Sequence, residues 1–233
     1  MARLARLSVA GLPHLLALRG AQGTSVFRSD EDREQLLAML RQVAQETRLA
    51  LHGYALLPDA IYLLATPPDA TAMGRAMQSL GRRYVRRFND RHARRGALFD
   101  GRFRSAVVDP ERWLLPCLRF VETRPMAAGV AVDAAHYRWS SAAHHAGFAT
   151  DGWIDDLAPY WALGNTPFDR QAAWRDYLGA IPASDVQQIS QALMGGWALG
   201  GAAFVAELGR TSPRRALPGK PGRPRKPVDT AEA

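Results

Sequence analysis

The chain predicts an α+β fold, an antiparallel sheet with helices on one face, and three observations predict it. Apolar residues recur at helical spacing in two long stretches, around 36–44 and 73–88. Short apolar runs punctuated by Gly, Pro and Asp alternate with those stretches. Two of the runs, LALHGYALL (49–57) and IYLLAT (61–66), are separated only by a tight turn at Pro58-Asp59, which makes them antiparallel neighbours.

In chain order, PHLLALR (13–19) reads as a strand followed by the Gly-containing loop GAQGTSVF. Ser29 opens a helix, with Asp32 three residues on completing a capping box, and Leu36, Leu40 and Val43 fall on one helical face. The 49–57 and 61–66 hairpin follows. Met73, Met77, Leu80, Tyr84 and Phe88 then step by three or four residues and mark a long helix to about residue 92. FDGRFRSAVVD (99–109) reads as a fourth strand, and Asp109-Pro110 opens another helix through about Glu122, with Pro near its first turn. The order β-α-β-β-α-β, with a further helix, is that of a ferredoxin-like layer. Residues 1–145 form this domain, and 146–209 read as a small helical appendage. From 210 to 233 lies a Pro- and Gly-rich basic tail, expected to be disordered on its own.

The 233 residues carry a formal net charge of +8, with arginine supplying nearly all of the excess, since Lys220 and Lys226 are the only lysines. Such a surface attracts polyanions, and arginine presents paired donors to phosphate. One cysteine, Cys117, excludes an intramolecular disulfide and a cysteine-based zinc cluster. No apolar run approaches ~18 residues, so neither a signal peptide nor a membrane span is expected. A cytoplasmic, nucleoid-associated bacterial protein is.

The densest basic segment, 75–104, holds Arg75, Arg82, Arg83, Arg86, Arg87, Arg91, Arg94, Arg95, Arg102 and Arg104 against Asp90 and Asp100. All but Arg75 are candidate nucleic-acid contacts. In the tail, PGRPRKP (221–227) contains a Gly-Arg-Pro core similar to an AT-hook, with Arg223 and Arg225 as candidate groove contacts. His14, His52, His92 and His136 are isolated and read as structural or surface residues. His144 and His145 are adjacent, so on a helix they point ~100° apart.

The run SLGRRYVRRFNDRHARRGALFDGRFRS (79–105) resembles the REP-associated branch of the single-tyrosine HUH transposases. In that branch a Y-x-x-x-F/Y-N segment precedes GxLFxGRF. GLPHLLALRG (11–20), LHGYALLP (51–58), DPERWLLPCLRFVETRPMAAGV (109–130) and YRWSSAAHHAG (137–147) resemble further family segments. The resemblance implies a tyrosine nucleophile that cleaves single-stranded DNA beside a hairpin. It also implies a divalent metal held by His-hydrophobic-His on the second strand of the hairpin and a polar side chain near the tyrosine. By position Tyr84 matches the nucleophile and Asn89 the helix-borne ligand.

The metal motif itself is degenerate. Where the family has Pro-Asn-His-hydrophobic-His, this chain reads Pro58-Asp59-Ala60-Ile61-Tyr62. Alanine has no donor, and a neutral phenol is a poor ligand for a hard cation. Asp59 is a weak substitute ligand, and Arg124 stands where the family has Asn. The leading expectation is a DNA-binding protein that recognises hairpin or palindromic single-stranded DNA, with metal-dependent tyrosine nicking lost and a homodimer left open. The alternatives are an active transposase using Tyr84 with a rearranged Mg²⁺ or Mn²⁺ site, and an RNA- or duplex-DNA-binding regulator.

Overall fold

The computed structural model describes residues 6–179, 181–212 and 214–218. Four strands, β1 (His14–Arg19), β2 (Ala50–Leu57), β3 (Ala60–Thr66) and β4 (Arg104–Val107), form one antiparallel sheet in the order β2-β3-β1-β4. Helix α1 (Asp30–Thr47) lies between β1 and β2, and α2 (Ala72–Arg91) between β3 and β4. The expected capping box is present. The Ser29 hydroxyl accepts from the Asp32 N–H, and the Asp32 carboxylate accepts from the Ser29 N–H.

α1 and α2 pack on one face of the sheet, against Leu16, Leu18, Ile61, Leu63 and Ala65. The opposite face is also covered. Leu15, Ala17, Ala60, Tyr62 and Leu64 meet α3 (Leu114–Glu122) and residues of α7 (Pro167–Tyr177) and α8 (Ala183–Gly195), among them Trp174, Ile189 and Leu193. Burial on both sides explains why β1 and β3 read as continuous apolar runs rather than alternating ones. The 146–209 segment, with the short α6 (Ala158–Trp161) and α9 (Ala202–Thr211), is therefore a lid on the second face that shares the core of the sheet. Two single turns, α4 (Arg124–Ala127) and α5 (Ala142–His145), join α3 to it.

Both sheet edges are closed. Trp139–Ser141 pairs with β2 through Leu56 N–H to Trp139 O (2.8 Å) and Ser141 N–H to Tyr54 O (3.0 Å), which gives the Trp-Ser-Ser run a structural role. At the other edge Leu199 bonds to Val107 O and Asp109 N–H bonds to Leu199 O, each at 2.8 Å. Covered edges leave no template for pairing with another chain.

Three expectations are corrected. The fourth strand is Arg104–Val107, not 99–109, because Gly101 turns the chain at φ +67° and leaves only a single bridge from Phe99 to Gly20. The helix expected from Asp109 begins at Leu114, after a turn. The tail does not begin at 210. α9 runs to Thr211, and Ala216 is buried with Leu7, Val107, Ala198 and Leu208, its carbonyl accepting from Ala198 N–H at 2.9 Å. Arg223 and Arg225 lie outside the described residues.

His14 ties the N-terminal segment to β1. It is 0% exposed, its Nδ1–H donates to Leu12 O (2.8 Å), and its Nε2 accepts from Val9 N–H (3.2 Å). The bond from Val9 requires the neutral ring, and burial lowers its pKa from 6.5 to about 4, against a smaller rise from the Leu12 bond. The unfolded chain takes up this proton near pH 6.5, so it binds more protons than the folded chain between there and pH 4. The contribution of neutral His14 is complete above pH 6.5 and is lost as pH falls through about 4, a change of about 3 kcal/mol. Burial lowers the pKa of His52 as well, in the same direction. Urea unfolding at pH 7 and pH 4 is expected to show this loss, and His14→Gln to shrink the difference between the two pH values.

Candidate nucleic-acid interface

Successive strand side chains point to opposite faces, so β3 sorts the expected site residues by parity. Ala60 and Tyr62 project toward α3, and Ile61 and Leu63 toward α1 and α2. Tyr62 is flanked in register by Ala17 and Ala55, whose small side chains leave room for its ring. The ring is 6% exposed and meets the edge of Phe120, with centroids 6.2 Å apart. Phe120 carries no hydroxyl with which to attack a phosphate. The Arg124 guanidinium lies 4.1 Å over the other ring of that pair, Phe120. Burial holds the Arg124 pKa below its usual value, with Tyr62 raising it and Arg19 lowering it further. Neither Arg19 nor Arg124 makes an ion pair among the described residues.

These residues do not fit a divalent cation. A methyl group, a packed phenol and a fixed guanidinium occupy the place where the resemblance puts two imidazoles, and the guanidinium repels a metal. Asp59 sits exposed in the β2–β3 turn, where its carbonyl accepts from Gly20 N–H (2.7 Å). Asn89 is committed elsewhere. Its Nδ2 donates to Gly96 O (3.0 Å) and its Oδ1 accepts from Arg94 (3.3 Å), closing the turn after α2.

Tyr84 is on the other face of the sheet from Ala60 and Tyr62, and the structure makes it a core residue. It is 1% exposed, between Phe27 (5.8 Å), Phe88 (5.9 Å) and Phe99 (6.3 Å), and its hydroxyl donates to Val26 O at 2.6 Å. Burial pushes its pKa above the ordinary tyrosine value, the opposite of what activates a phenol. The stripe Met77–Leu80–Tyr84–Phe88 predicts this packing by itself; the resemblance points the other way.

The arginines of 82–104 do not act as one surface. Arg83 pairs with Glu46 at 2.9 and 3.1 Å, Arg87 bonds Gln35 at 3.0 Å, and Arg91 pairs with Glu31 and, at 3.6 Å, with Asp32. These three latch α2 to α1, and the acidic residues of α1 neutralise part of the basic face. Arg94 bonds Ala97 O (2.8 Å), and Arg104 reaches Met194 O (3.3 Å). Arg102 is exposed. Arg82 and Arg95 are exposed with neither ion pair nor side-chain hydrogen bond among the described residues, and Arg86 reaches Asp90 only at 3.9 Å. Among the described residues, the charge available to a polyanion is thus concentrated on Arg82, Arg86 and Arg95.

Sequence reasoning missed a buried polar cluster behind α3. Glu122, 0% exposed, accepts from Ser141 Oγ (2.5 Å), His145 Nδ1 (2.6 Å) and Trp174 Nε1 (2.9 Å). Gly53 permits the close approach of α3 to β2, since a Cβ there would come within 2.5 Å of Leu118. Among the described residues, His144, His145 and Asp156 form the one group of at least three His, Cys, Asp or Glu ligand atoms within 4.8 Å of one another. The two histidines do converge, despite their adjacency, because α5 is a single turn. His144 Nδ1 accepts from Asp151 N–H (3.0 Å), which places its proton on Nε2, donating to Asp156 at 3.2 Å. That nitrogen has no lone pair for a metal, so the group is a hydrogen-bond network. The other four histidines bond within the protein: His52 to Asp155 O and Thr66, His92 to Asp32, His136 to Asp133, and His14 as described.

No protein-family model matches the chain, and no curated protein matches it. Among solved structures, that of a REP-associated tyrosine transposase bound to a REP hairpin superposes with a TM-score of 0.51 at 12% identity, covering 68% of this chain and 96% of that one. A protein from Deinococcus radiodurans described as a transposase aligns at 18% identity over 55% of this chain and 98% of that one, and its TM-score of 0.37 is too low to support an argument. No helix of the described residues is long and apolar enough to cross a membrane.

Proposed function

We propose that this chain, which has the fold of a REP-associated tyrosine transposase, binds hairpin-forming or palindromic single-stranded DNA without metal-dependent tyrosine cleavage. One observation carries the reading. The residues that should share a scissile phosphate lie on opposite faces of a covered sheet, and the place for the metal is filled by Tyr62, Phe120 and Arg124. Arg82 on α2 and Arg95 in the loop after it, exposed with neither ion pair nor side-chain hydrogen bond among the described residues, support a nucleic-acid partner, and the similar solved protein is bound to a hairpin. A sheet that stacks RNA bases on exposed aromatics is not available here, because both faces are covered.

The test is incubation of the protein with an end-labelled hairpin carrying a flanking single strand, in Mg²⁺ or Mn²⁺. A retarded complex is expected on a native gel and no covalent adduct on a denaturing one. If Arg82, Arg86 and Arg95 each contact a phosphate, log affinity falls with log salt at a slope of about −2 for a single strand. A metal-dependent adduct that Tyr84→Phe abolishes would overturn the proposal.

A further inference from the structure

Where the loop 151–155 docks beside the end of α1, its backbone and its aromatic ring are fully engaged. Asp155 N–H donates to Leu51 O, and Asp155 O accepts from His52 Nδ1–H, each at 2.7 Å. The Tyr54 hydroxyl donates to one oxygen of Asp151 at 3.2 Å, and Arg41 reaches the other at 3.5 Å. Trp153 stacks on Tyr54 with centroids 5.6 Å apart and planes 25° from parallel. The Arg41 guanidinium, held by Asp151, lies 5.3 Å over the indole.

Three polar side chains that line the cavity between this loop and α1 are not engaged. Gln45, Arg48 and Asp155 are exposed, and none makes a side-chain hydrogen bond or ion pair among the described residues. The neighbouring His52 ring is kept neutral by burial and does not compensate the Asp155 charge. Arg48 ends α1 in the left-handed region, at φ +53° and ψ +36°, which glycine adopts at least cost. The backbone there favours glycine, and the side chain standing in its place contributes a charge without a partner. The cavity encloses about 350 Å³, within the ~300–1,000 Å³ of small-ligand sites.

A fixed planar platform, an unpaired carboxylate and an unpaired cation around one cavity suit a nucleotide. A base stacks on an indole or on a guanidinium plane. The carboxylate is acceptor-only and takes two adjacent donors at once. Guanine offers that pair on its Watson–Crick edge, through N1–H and the N2 amino group, whereas every other base sets an acceptor beside its donor. Arg48 supplies the charge that a phosphate requires. We infer that this cavity binds a guanine nucleotide, with the ring on the Trp153–Arg41 platform, N1–H and N2 on Asp155, and the phosphate on Arg48. The site shares no residue with the proposed hairpin contacts, and the inference stands apart from them.

The test titrates GMP, AMP, guanosine and inorganic phosphate into the whole chain by calorimetry at fixed salt. GMP is expected to bind, and AMP about tenfold more weakly, since its bare N1 faces the carboxylate. Arg48→Gly suits the left-handed backbone, so the melting temperature is not expected to fall. It is expected to weaken GMP about tenfold and leave guanosine and hairpin binding unchanged. Asp155→Asn matches the donor and acceptor of adenine and is expected to reverse the order of GMP and AMP; a merely loosened loop would weaken both alike. The inference is overturned by a lack of saturable GMP binding, by equal binding of GMP and AMP, or by GMP affinity that Arg48→Gly leaves unchanged. Inorganic phosphate binding as tightly as GMP would overturn the reading of the base. Displacement of GMP by a dT oligonucleotide carrying a single dG, at a lower concentration than GMP itself needs, would overturn a free nucleotide as the occupant.

Discussion

Glu122→Ala is expected to lower the unfolding free energy by about 3–5 kcal/mol, the cost of removing one partner from a buried charged pair. For a chain of this size that corresponds to a fall in melting temperature of about 6–20 °C. The carboxylate is the shared acceptor for Ser141 and His145, at the two ends of the α5 turn, and for Trp174 of α7. Its removal leaves His145 Nδ1 and Trp174 Nε1 without their acceptor, leaves Ser141 Oγ only the longer bond to Tyr54 O (3.4 Å), and opens a space that α3, β2 and α7 must close. Glu122→Gln keeps the shape but turns an NH₂ toward donors, so a smaller loss is expected. The pH dependence separates this cluster from His14. Burial disfavours the charged form of His145, but Glu122 outweighs it and the pKa is raised. The stabilisation from charged His145 is therefore complete below pH 6.5 and is lost as pH rises through the folded-state pKa, the reverse of the His14 trend. Denaturant unfolding of wild type and Glu122→Ala across pH 5–9 measures both effects. A loss below about 1 kcal/mol would show that the cluster is dispensable.

Tyr84→Ala is expected to cost about 3–5 kcal/mol, as for a large aromatic removed from a packed core. Tyr84→Phe costs less, about 1–3 kcal/mol, because only the bond to Val26 O is lost and that carbonyl is left buried. Neither change is expected to alter hairpin affinity per folded molecule. The contrast decides between two roles for one residue. A structural tyrosine changes stability in both variants and binding in neither. A nucleophile would tolerate phenylalanine in the fold and lose only covalent chemistry. Thermal melts paired with binding titrations distinguish the two, and unchanged stability of Tyr84→Phe would sink the core assignment.

The β-α-β-β-α-β order was legible because each element carries its own local signal: the Ser29–Asp32 box, the Pro58-Asp59 turn and the Met73–Phe88 stripe. The lid on the second face was not. Trp174 and Ile189 enter the core from helices whose role depends on what lies across from them, and spacing within a helix carries no such information. The arginine face was legible as charge but not as free charge, since Glu31 and Glu46 reach it from an element some forty residues earlier. For the site, the substitutions at 60 and 62 were visible at once. What the motif could not show is parity: Tyr84 and the 60/62 pair face opposite sides, which only the layering of the sheet reveals.

The interlock of Tyr62, Phe120 and Arg124 has an evolutionary consequence. Histidine at position 60 alone would stand beside a phenol and beneath a positive charge. Histidine at 62 alone would remove the ring against which Phe120 packs. Asparagine at 124 alone would uncover the Phe120 ring and leave positions 60 and 62 without a ligand. Each step back toward a metal centre is a loss before it is a gain, so reversal needs several substitutions at once. If the chain binds DNA without cutting it, as proposed, selection can tune that binding one arginine at a time, whereas a metal centre at 60 and 62 needs several substitutions together.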